Sequence, residues 1–197
     1  MNLVLASASK SRASMLKSAG VTFDVHPSNA DEDEMKRTLT AKGLDGAHIA
    51  DALAELKAVR VSSSRSGELV LGADQLLVFE NEIVSKCTTM TDAGHLLRRL
   101  RGKLHSLHSA VVLAREGTPV WRHMAHARLT MRQFSDAFLA RYLDREGEVI
   151  LSGVGCYRLE GLGAQLFERV EGDYFSILGL PLLPLLAALR GQGVIES

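Results

Sequence analysis

Net charge is the first thing that this sequence lacks. The 23 Lys and Arg residues are balanced by 23 Asp and Glu residues, so the formal net charge of the 197 residues is +0. A protein that binds nucleic acid or an anionic membrane without specificity needs a surplus of basic residues. We therefore expect neither nucleic acid nor a membrane as a partner, although this balance leaves room for a local basic pocket.

Cysteine and long hydrophobic runs are also scarce. The two cysteines, Cys87 and Cys156, lack the close spacing of a metal-binding pair. The most hydrophobic stretch, residues 177–186, is too short and too interrupted by proline to span a bilayer, which takes ~20 apolar residues. The N-terminus has no basic segment before a long apolar run, so no signal peptide is expected. These absences favour a reduced, cytoplasmic protein.

Three common motifs of nucleotide-binding proteins and zinc hydrolases are missing as well. The sequence contains no GxxxxGKS/T phosphate loop, no GxGxxG dinucleotide fingerprint and no HExxH pair. Their absence excludes the commonest versions of these sites. It does not exclude nucleotide chemistry built from other residues.

Apolar runs and helical periodicities alternate along the chain and predict an α/β protein. The predicted strands cover residues 3–5, 21–25, 69–79, 83–84, 104–114, 120–131 and a glycine-rich β stretch at 153–170, and the predicted helices cover 13–19, 47–61, 91–100, 135–143 and a C-terminal segment ending near 190. Hairpins rule out a purely parallel sheet. Without repeats or long linkers, we predict one domain, residues 1–197, with a mixed, strongly twisted sheet flanked by helices.

The turn between the first predicted strand and helix is rich in hydroxyl and basic side chains. Residues 5–12 read Leu-Ala-Ser-Ala-Ser-Lys-Ser-Arg. A helix N-terminus offers backbone N–H groups and a partial positive charge to anions. Ser7, Ser9 and Ser11 add donors, and Arg12 adds charge, so the turn suits a phosphate. The alternative is that a serine caps the helix and the basic residues are solvated.

Asp74 lies inside a long apolar strand, where a carboxylate is costly unless it is paired, hydrogen-bonded or bound to a metal. The structural alternative is an aspartate at a strand break that bonds the backbone near Gly72. We favour a functional role, because polar Gln75 follows and Gly72 lets a backbone or a ligand approach closely.

An acidic run, residues 31–34, follows the second predicted strand and leads into a polar connection. Charge runs usually face water, which we expect for Asp33 and Glu34. One carboxylate of the run could complete a metal site with Asp74, because Mg²⁺ takes few protein carboxylates and keeps waters and substrate phosphates as its other ligands.

Several single residues carry weaker signals. Lys57, at the border of the apolar face of a predicted helix, and Lys86 are more often surface lysines than phosphate ligands. His105 starts a long strand and could act as a base, but an exposed or hydrogen-bonded histidine is the more frequent case. His108 and Ser109 indicate even less.

Taken together and in order, these segments resemble the Maf-like nucleoside triphosphate pyrophosphatase family over nearly the whole chain. Residues 5–12 are similar to its LASxSPRR motif, 31–32 to its DE pair, 57–58 to its KA, 72–74 to its GAD, Lys86 to the lysine of its GKP, 102–109 to its SGxxHxVxT and 172–181 to its GDYxxVxGLP.

Some positions depart from the family pattern or distinguish its branches. Lys10 replaces a proline of the front turn, and Cys87 replaces the proline that follows Lys86. Gln75, Glu160 and a lysine-free segment around Gly155 are similar to the branch that acts on 7-methyl-GTP rather than on dTTP and UTP. Ser11 stands where that branch has a large aromatic residue, so the resemblance assigns specificity to Ser11, Gln75 and Glu160.

The resemblance implies a two-lobed fold around a cleft, as in Maf and ITPase-like proteins, and a homodimer. It implies metal-dependent hydrolysis of a nucleoside triphosphate, here 7-methyl-GTP or another modified nucleotide, between the α and β phosphates. Phosphates would contact Ser7, Ser9, Arg12, Lys57 and Lys86, while Glu32 and Asp74 would bind Mg²⁺, Mn²⁺ or Co²⁺, with Asp74 accepting the proton of the water. The alternatives are a dTTP/UTP pyrophosphatase and a nucleotide-binding regulator of cell division and septum formation.

Overall fold

A computed structural model describes residues 2–196 and confirms the α/β prediction. The strands are β1 (Leu3–Leu5), β2 (Asp24–Val25), β3 (Leu69–Phe79), β4 (Glu82–Val84), β5 (Leu104–Arg115), β6 (Thr118–Met131) and β7 (Phe167–Glu171). The helices are α1 (Lys10–Ser18), α2 (Glu32–Ala41), α3 (Gly46–Ser62), α4 (Met90–Leu100), α5 (Asp136–Glu146), α6 (Tyr174–Ile177) and α7 (Leu182–Gly191), with 3₁₀ helices at Gly147–Ser152 and Leu162–Leu166.

The seven strands form one mixed sheet, flanked by helices. Their order is β2-β1-β3-β5-β6-β7, and β4 pairs with β3 outside this row. Strand β1 runs parallel to β2 and β3, whereas the β3–β4 and β6–β7 pairs are antiparallel. The sheet is therefore mixed, as the hairpins in the sequence predicted.

The chain forms two compact units. The first contains Met1–Gln75, His108–Ala125 and Asp173–Ser197, and the second contains Leu76–Leu107 and His126–Gly172. That the chain is a single domain with a cleft between two lobes stays a prediction.

The first unit has its core around β1 and the first part of β3. Leu3 and Leu5 of β1 pack with Leu69 and Leu71 of β3, with α1, and with Leu185 of α7. All four β1 and β3 leucines are completely buried. Val4 and Val70, at the intervening positions, are completely buried in a separate cluster, so both faces of these strands are covered. Burial on both faces accounts for the continuous apolar runs in the sequence.

The second unit surrounds α4 and α5. Leu97 and Leu100 of α4 are completely buried, as are Leu139 and Tyr142 of α5. Helix α4 packs against α5 and against the 3₁₀ helix Gly147–Ser152. The helix predicted to start at residue 135 is confirmed, because Ser135 caps α5 by accepting from the backbone N–H of Phe138 at 3.1 Å.

Three local predictions were wrong. The acidic run does not lead into a loop, because Asp31 caps α2 and the other three acidic residues form its first turn. Carboxylates are favourable there because they complement the helix dipole. Residues 153–170 are not one β stretch, since a 3₁₀ helix interrupts them and only the last residues belong to β7. The strand predicted at 21–25 is reduced to Asp24–Val25.

Within residues 2–196, no helix combines the length and the apolar character that crossing a membrane requires.

Candidate active site

A buried lysine lies at the centre of the candidate site in the first unit. Nζ of Lys57 lies 2.6 Å from Oδ1 of Asp74 and 2.8 Å from Oε2 of Glu32. It also donates to the carbonyl oxygen of Ala73 at 3.4 Å. Lys57 is only 5% exposed, so the structure rejects the surface interpretation of this residue. Its three partners match the three protons of an ammonium group.

Gly72 explains how a helix lysine reaches a strand carboxylate. A Cβ atom built at Gly72 would lie 2.2 Å from the carbonyl oxygen of Ala54 and 2.7 Å from the backbone nitrogen of Ala58. Helix α3 therefore packs directly on the backbone of β3, and Lys57 precedes the point of contact by one residue. The close approach that we expected at Gly72 is made by a backbone, with Asp74 two residues further along.

The two carboxylates come from elements with different exposure. Asp74, in β3, has a side chain 11% exposed, whereas that of Glu32, in the first turn of α2, is 43% exposed. Both touch the same nitrogen, so the two groups converge, as the metal prediction requires. Oδ2 of Asp74 has no hydrogen-bond partner among the residues described and can accept from a water molecule or a ligand. Asp33 and Glu34 are exposed, as expected.

The converging carboxylates fit a divalent cation only with help from substrate. Within residues 2–196, no cluster of three or more His, Cys, Asp or Glu side chains is placed to hold a metal ion. Mg²⁺ commonly binds through one or two carboxylates together with substrate phosphates and waters. Glu32 and Asp74 match this donor set, and Lys57 supplies one positive charge between them.

Arg12 is buried and fixed by backbone carbonyl groups. Its Nε donates to the carbonyl of Gly179 at 2.9 Å, and its Nη1 donates to the carbonyl of Ala73 at 2.9 Å and to Oγ of Ser7 at 3.1 Å. Burial lowers the pKa of Arg12, while the charges of Asp74 and Glu32 act in the opposite direction. The guanidinium therefore connects the front turn to β3 and to the turn before α7.

The front turn uses its serines internally. Oγ of Ser9 accepts from the backbone N–H of Arg12 at 3.4 Å, which makes Ser9 the N-cap of α1. Oγ of Ser7 accepts from the backbone N–H of Ser9 at 3.3 Å. Ser11 is exposed and donates to the carbonyl of Leu178 at 3.1 Å. The capping interpretation is thus confirmed for Ser9, and a phosphate role for Ser7 and Ser9 stays a prediction.

Gln75 has its amide nitrogen fully engaged. Nε2 lies 2.8 Å from Oγ of Ser109, 3.0 Å from the carbonyl of Ser176 and 3.1 Å from that of Ile177. Two carbonyl acceptors fix the orientation of the amide, because an amide oxygen could not bond them. Oε1 has no partner among the described residues and remains an acceptor. Sequence analysis missed this arrangement, and Ser109, which gave only a weak signal, is one of its anchors.

The other predicted site residues belong to the second unit. Lys86 is exposed and lies between β4 and α4, where it lines a cavity of about 350 Å³ formed by residues 82–99. Glu160 is exposed, and its Oε1 accepts from Nε of Arg158 at 3.2 Å. Arg158 also donates to Glu146, whose other oxygen accepts from the backbone N–H of Leu162. Glu160 is therefore a partly neutralised carboxylate.

His105 is a buried strand histidine, which is the more frequent of the two alternatives that the sequence left open. Its Nε2 lies 2.8 Å from the hydroxyl oxygen of Tyr157, and its ring packs against Tyr157 and Phe167. Burial lowers the pKa of His105 to about 4, so the ring is neutral at pH 7. The buried Nδ1 has no partner among the residues described.

The chain matches the family model described as "Maf-like protein" over residues 2–192. It is 50% identical over 193 residues to a nucleoside triphosphate pyrophosphatase of Caulobacter vibrioides, with 98% of this chain and 96% of the relative covered. It is 47% identical over 195 residues to a 7-methyl-GTP pyrophosphatase of Rhizobium meliloti, with coverages of 99% and 98%. A solved HAM1 protein structure from Coxiella burnetii, at a TM-score of 0.39 and 13% identity over 68% of this chain and 74% of that one, is too distant to add to these findings.

Proposed function

The chain belongs to the Maf-like protein family, and from this premise we propose that it is a nucleoside triphosphate pyrophosphatase. The observation that supports the proposal most strongly is the buried Lys57 ammonium, which holds the carboxylates of Glu32 and Asp74 together beside Arg12. Relatives that are half identical to the chain over almost its full length bear the same activity in their names.

The reaction would break the bond between the α-phosphorus atom and the oxygen that bridges it to the β phosphate. A water oxygen attacks phosphorus, pyrophosphate leaves, and the water proton passes to a base. Oδ2 of Asp74 suits the role of base, since Oδ1 is already bonded to Lys57. Arg12 and the N-terminus of α1 would neutralise charge on the phosphates.

We also propose that Glu32 and Asp74 hold a divalent cation, Mg²⁺, Mn²⁺ or Co²⁺, when substrate is bound. Such a cation neutralises phosphate charge and lowers the pKa of a bound water. The buried ammonium of Lys57 would keep the two carboxylates in place for this purpose. Activity should disappear with excess chelator and return when one of these metals is added, and full activity after exhaustive metal removal would contradict the proposal.

The proposed substrate is 7-methyl-GTP or another modified purine triphosphate. Oε1 of Gln75 is a hydrogen-bond acceptor, and the two carbonyl groups that bind Nε2 prevent the amide from rotating. Oε1 therefore favours N–H donors such as those on the edge of guanine. Methylation at N7 makes the base more positive, which an acceptor or a carboxylate favours. Because Arg158 neutralises part of the Glu160 charge, Gln75 is the stronger candidate for base selection, and the roles of Ser11 and Glu160 stay predictions.

The test compares kcat/KM for 7-methyl-GTP, GTP, dTTP and UTP with purified protein, and measures pyrophosphate release. We expect 7-methyl-GTP to rank first. A first rank for dTTP or UTP would favour the alternative branch of the family. Tight nucleotide binding without pyrophosphate release would favour the regulator of cell division.

We further propose a homodimer with no nucleic-acid or membrane partner, located in the cytoplasm. The balanced charge supports the absence of polyanionic partners. Analytical ultracentrifugation gives the oligomeric state directly, and a single monomeric species at micromolar concentration would contradict the proposed dimer.

A further inference from the structure

A buried serine connects the proposed base-selecting residue, Gln75, to the short helix α6. Ser109, in β5, is only 1% exposed. Its Oγ accepts from Nε2 of Gln75 at 2.8 Å and donates to the carbonyl of Ser176 at 2.8 Å. Nε2 of Gln75 donates to the same carbonyl at 3.0 Å, so the three groups form a closed triangle of hydrogen bonds. One hydroxyl group therefore ties together β3, β5 and α6, and all three residues belong to the first unit.

The amide nitrogen of Gln75 has more acceptors than protons. Its two protons face three oxygens, which are the carbonyls of Ser176 and Ile177 and the hydroxyl of Ser109. The two carbonyls belong to successive residues of α6, so they hold the nitrogen to a single element. Ser109 ties the nitrogen to a second element, β5. Without this hydroxyl, the amide could pivot on the two carbonyl groups and change the direction of its Oε1.

Helix α6 is held in place independently of Ser109. Oδ2 of Asp173 accepts from the backbone N–H of Ser176 at 2.7 Å and from its Oγ at 2.6 Å, which caps the helix. Two residues beyond the helix, the carbonyl of Gly179 accepts from Nε of Arg12 at 2.9 Å. Loss of the Ser109 hydroxyl should therefore leave α6 in position and act on the amide instead.

A purely structural role is the alternative for Ser109, since buried carbonyl groups need hydrogen-bond donors. The carbonyl of Ser176, however, has two other donors. It accepts from Nε2 of Gln75 and from the backbone N–H of Gly179, both at 3.0 Å. Satisfying this carbonyl does not require a third donor, whereas fixing the amide in two directions does require a second acceptor element.

We propose that Ser109 is a positioning residue for base selection, which directs Oε1 of Gln75 towards the base without touching the substrate. This inference rests on the proposed function, in which Oε1 accepts from N–H donors of the base. The Ser109 hydroxyl keeps the amide nitrogen on the protein side and leaves the amide oxygen to the ligand. Strand β5 therefore contributes to specificity through a residue of β3.

The first test is Ser109→Ala, assayed by pyrophosphate release with the full-length protein. The preference in kcat/KM for 7-methyl-GTP over UTP should fall by about 3–10-fold, the effect of one hydrogen bond between uncharged groups. The kcat should change less than this ratio, because the hydrogen bonds of Ser109 do not involve Asp74 or Lys57. Ser109→Thr keeps the hydroxyl and should restore the ratio. An unchanged ratio in Ser109→Ala would overturn the proposal.

Ser62 offers a matched control in the same unit. It is also 1% exposed, and its Oγ donates to the carbonyl of Val59 at 3.1 Å and accepts from the backbone N–H of Gly117 at 3.0 Å. Ser62→Ala therefore removes a buried hydroxyl with one donated and one accepted bond, but away from Gln75. It should keep the wild-type substrate ratio. The same shift of the ratio in both alanine variants would contradict a specific role of Ser109.

A double-mutant cycle separates positioning from packing. In the Gln75→Thr background the amide is absent, so Ser109→Ala should produce no further change in the substrate ratio. A structural effect would act in both backgrounds and give additive changes. Additive changes in the ratio would therefore assign Ser109 to packing alone.

The side-chain amide protons of Gln75 report on the same contact without any turnover. In NMR spectra of the full-length protein, these protons should exchange with solvent faster in Ser109→Ala than in wild type, and at the wild-type rate in Ser62→Ala. An unchanged rate in Ser109→Ala would overturn the proposal. A wild type that releases no pyrophosphate would contradict the proposed function instead, and this measurement would still decide whether Ser109 positions the amide.

Discussion

The predicted site residues are held very differently in the two units of the chain. In the first unit, Lys57 and Arg12 are buried and each makes three hydrogen bonds or ion pairs to fixed groups. In the second unit, Lys86 and Glu160 are exposed. Buried polar groups need partners to offset desolvation, whereas exposed ones do not. The first set is therefore held in fixed positions, as the proposed catalysis requires, whereas the side chains of the second set are exposed to solvent.

The largest expected effect tests the chemistry assigned to the first unit. Asp74→Asn should lower kcat by about 10²–10⁴-fold, the usual contribution of a general base, because it keeps the shape of the side chain and removes its charge. Pyrophosphate release at saturating substrate measures the effect. Asp33→Asn is the matched control, since Asp33 is an exposed carboxylate next to Glu32, and it should retain wild-type kcat. If kcat of the Asp74→Asn variant stayed within a few-fold of the wild-type value, the base would have to be another group.

The next prediction compares one lysine from each unit. Lys57→Met should lower the free energy of unfolding by about 3 kcal/mol, because it leaves Asp74 buried without its partner. Lys86→Met should stay within about 0.5 kcal/mol of wild type, as exposed substitutions usually do. Urea denaturation measures both. Equal stability of the two variants would remove the distinction between the buried set of the first unit and the exposed set of the second.

The second unit contains a buried titratable group, His105, whose contribution to stability should depend on pH. Burial lowers the pKa of His105 from 6.5 to about 4, so the folded protein binds fewer protons than the unfolded chain between these values. Stability from this group is present above pH 6.5 and is lost as the pH falls to about 4, by about 3 kcal/mol in total.

Urea unfolding of wild type and His105→Gln at pH 7, 6, 5 and 4 measures this loss. Carboxylates titrate in both proteins, so the difference between the two pH profiles isolates the histidine. We expect the wild type to lose more stability than His105→Gln over this range. Parallel profiles would mean that His105 is not held neutral in the folded protein.

The smallest predicted effect concerns base selection by one residue from each unit. Gln75→Thr removes the fixed acceptor and should reduce the preference for 7-methyl-GTP over UTP by about 10–100-fold, the range expected for about 1–3 kcal/mol. Glu160→Ala should change the same ratio only a few-fold, because Arg158 already pairs with that carboxylate. Ratios of kcat/KM measure both effects. If Glu160→Ala changed the ratio more than Gln75→Thr did, base selection would have to be assigned to the second unit.

The sequence predicted those elements whose pattern is local. Apolar runs identified β1 and β3, and Ser135 identified the start of α5. The stretch at 153–170 was misassigned because glycine spacing does not distinguish strand from 3₁₀ helix, and the irregular backbone depends on side chains such as Glu146 that lie elsewhere in the chain. The acidic run was misassigned because charge suggested a loop, although acidic residues also start helices.

The candidate site, too, could be predicted only where the signal is local in the sequence. Asp74 could be singled out because a charge inside an apolar strand violates a local rule. The ion pair between Asp74 and Lys57 could not be predicted, because it depends on how α3 packs on β3, and Lys57 alone resembles a surface lysine. Likewise, nothing in the sequence around Gln75 indicates that Ser109 and two carbonyl groups near residue 176 bind its amide nitrogen.

Gly72 gives this arrangement an unusual vulnerability to mutation. The residue has no functional group, yet even the single methyl group of alanine would collide with the backbone of α3 at Ala54 and Ala58. Any replacement would force helix and strand apart and draw the ammonium of Lys57 away from its carboxylates. Tolerance to substitution should therefore be lowest at a position that performs no chemistry, and a genetic screen for inactive variants would recover position 72 beside the residues that react.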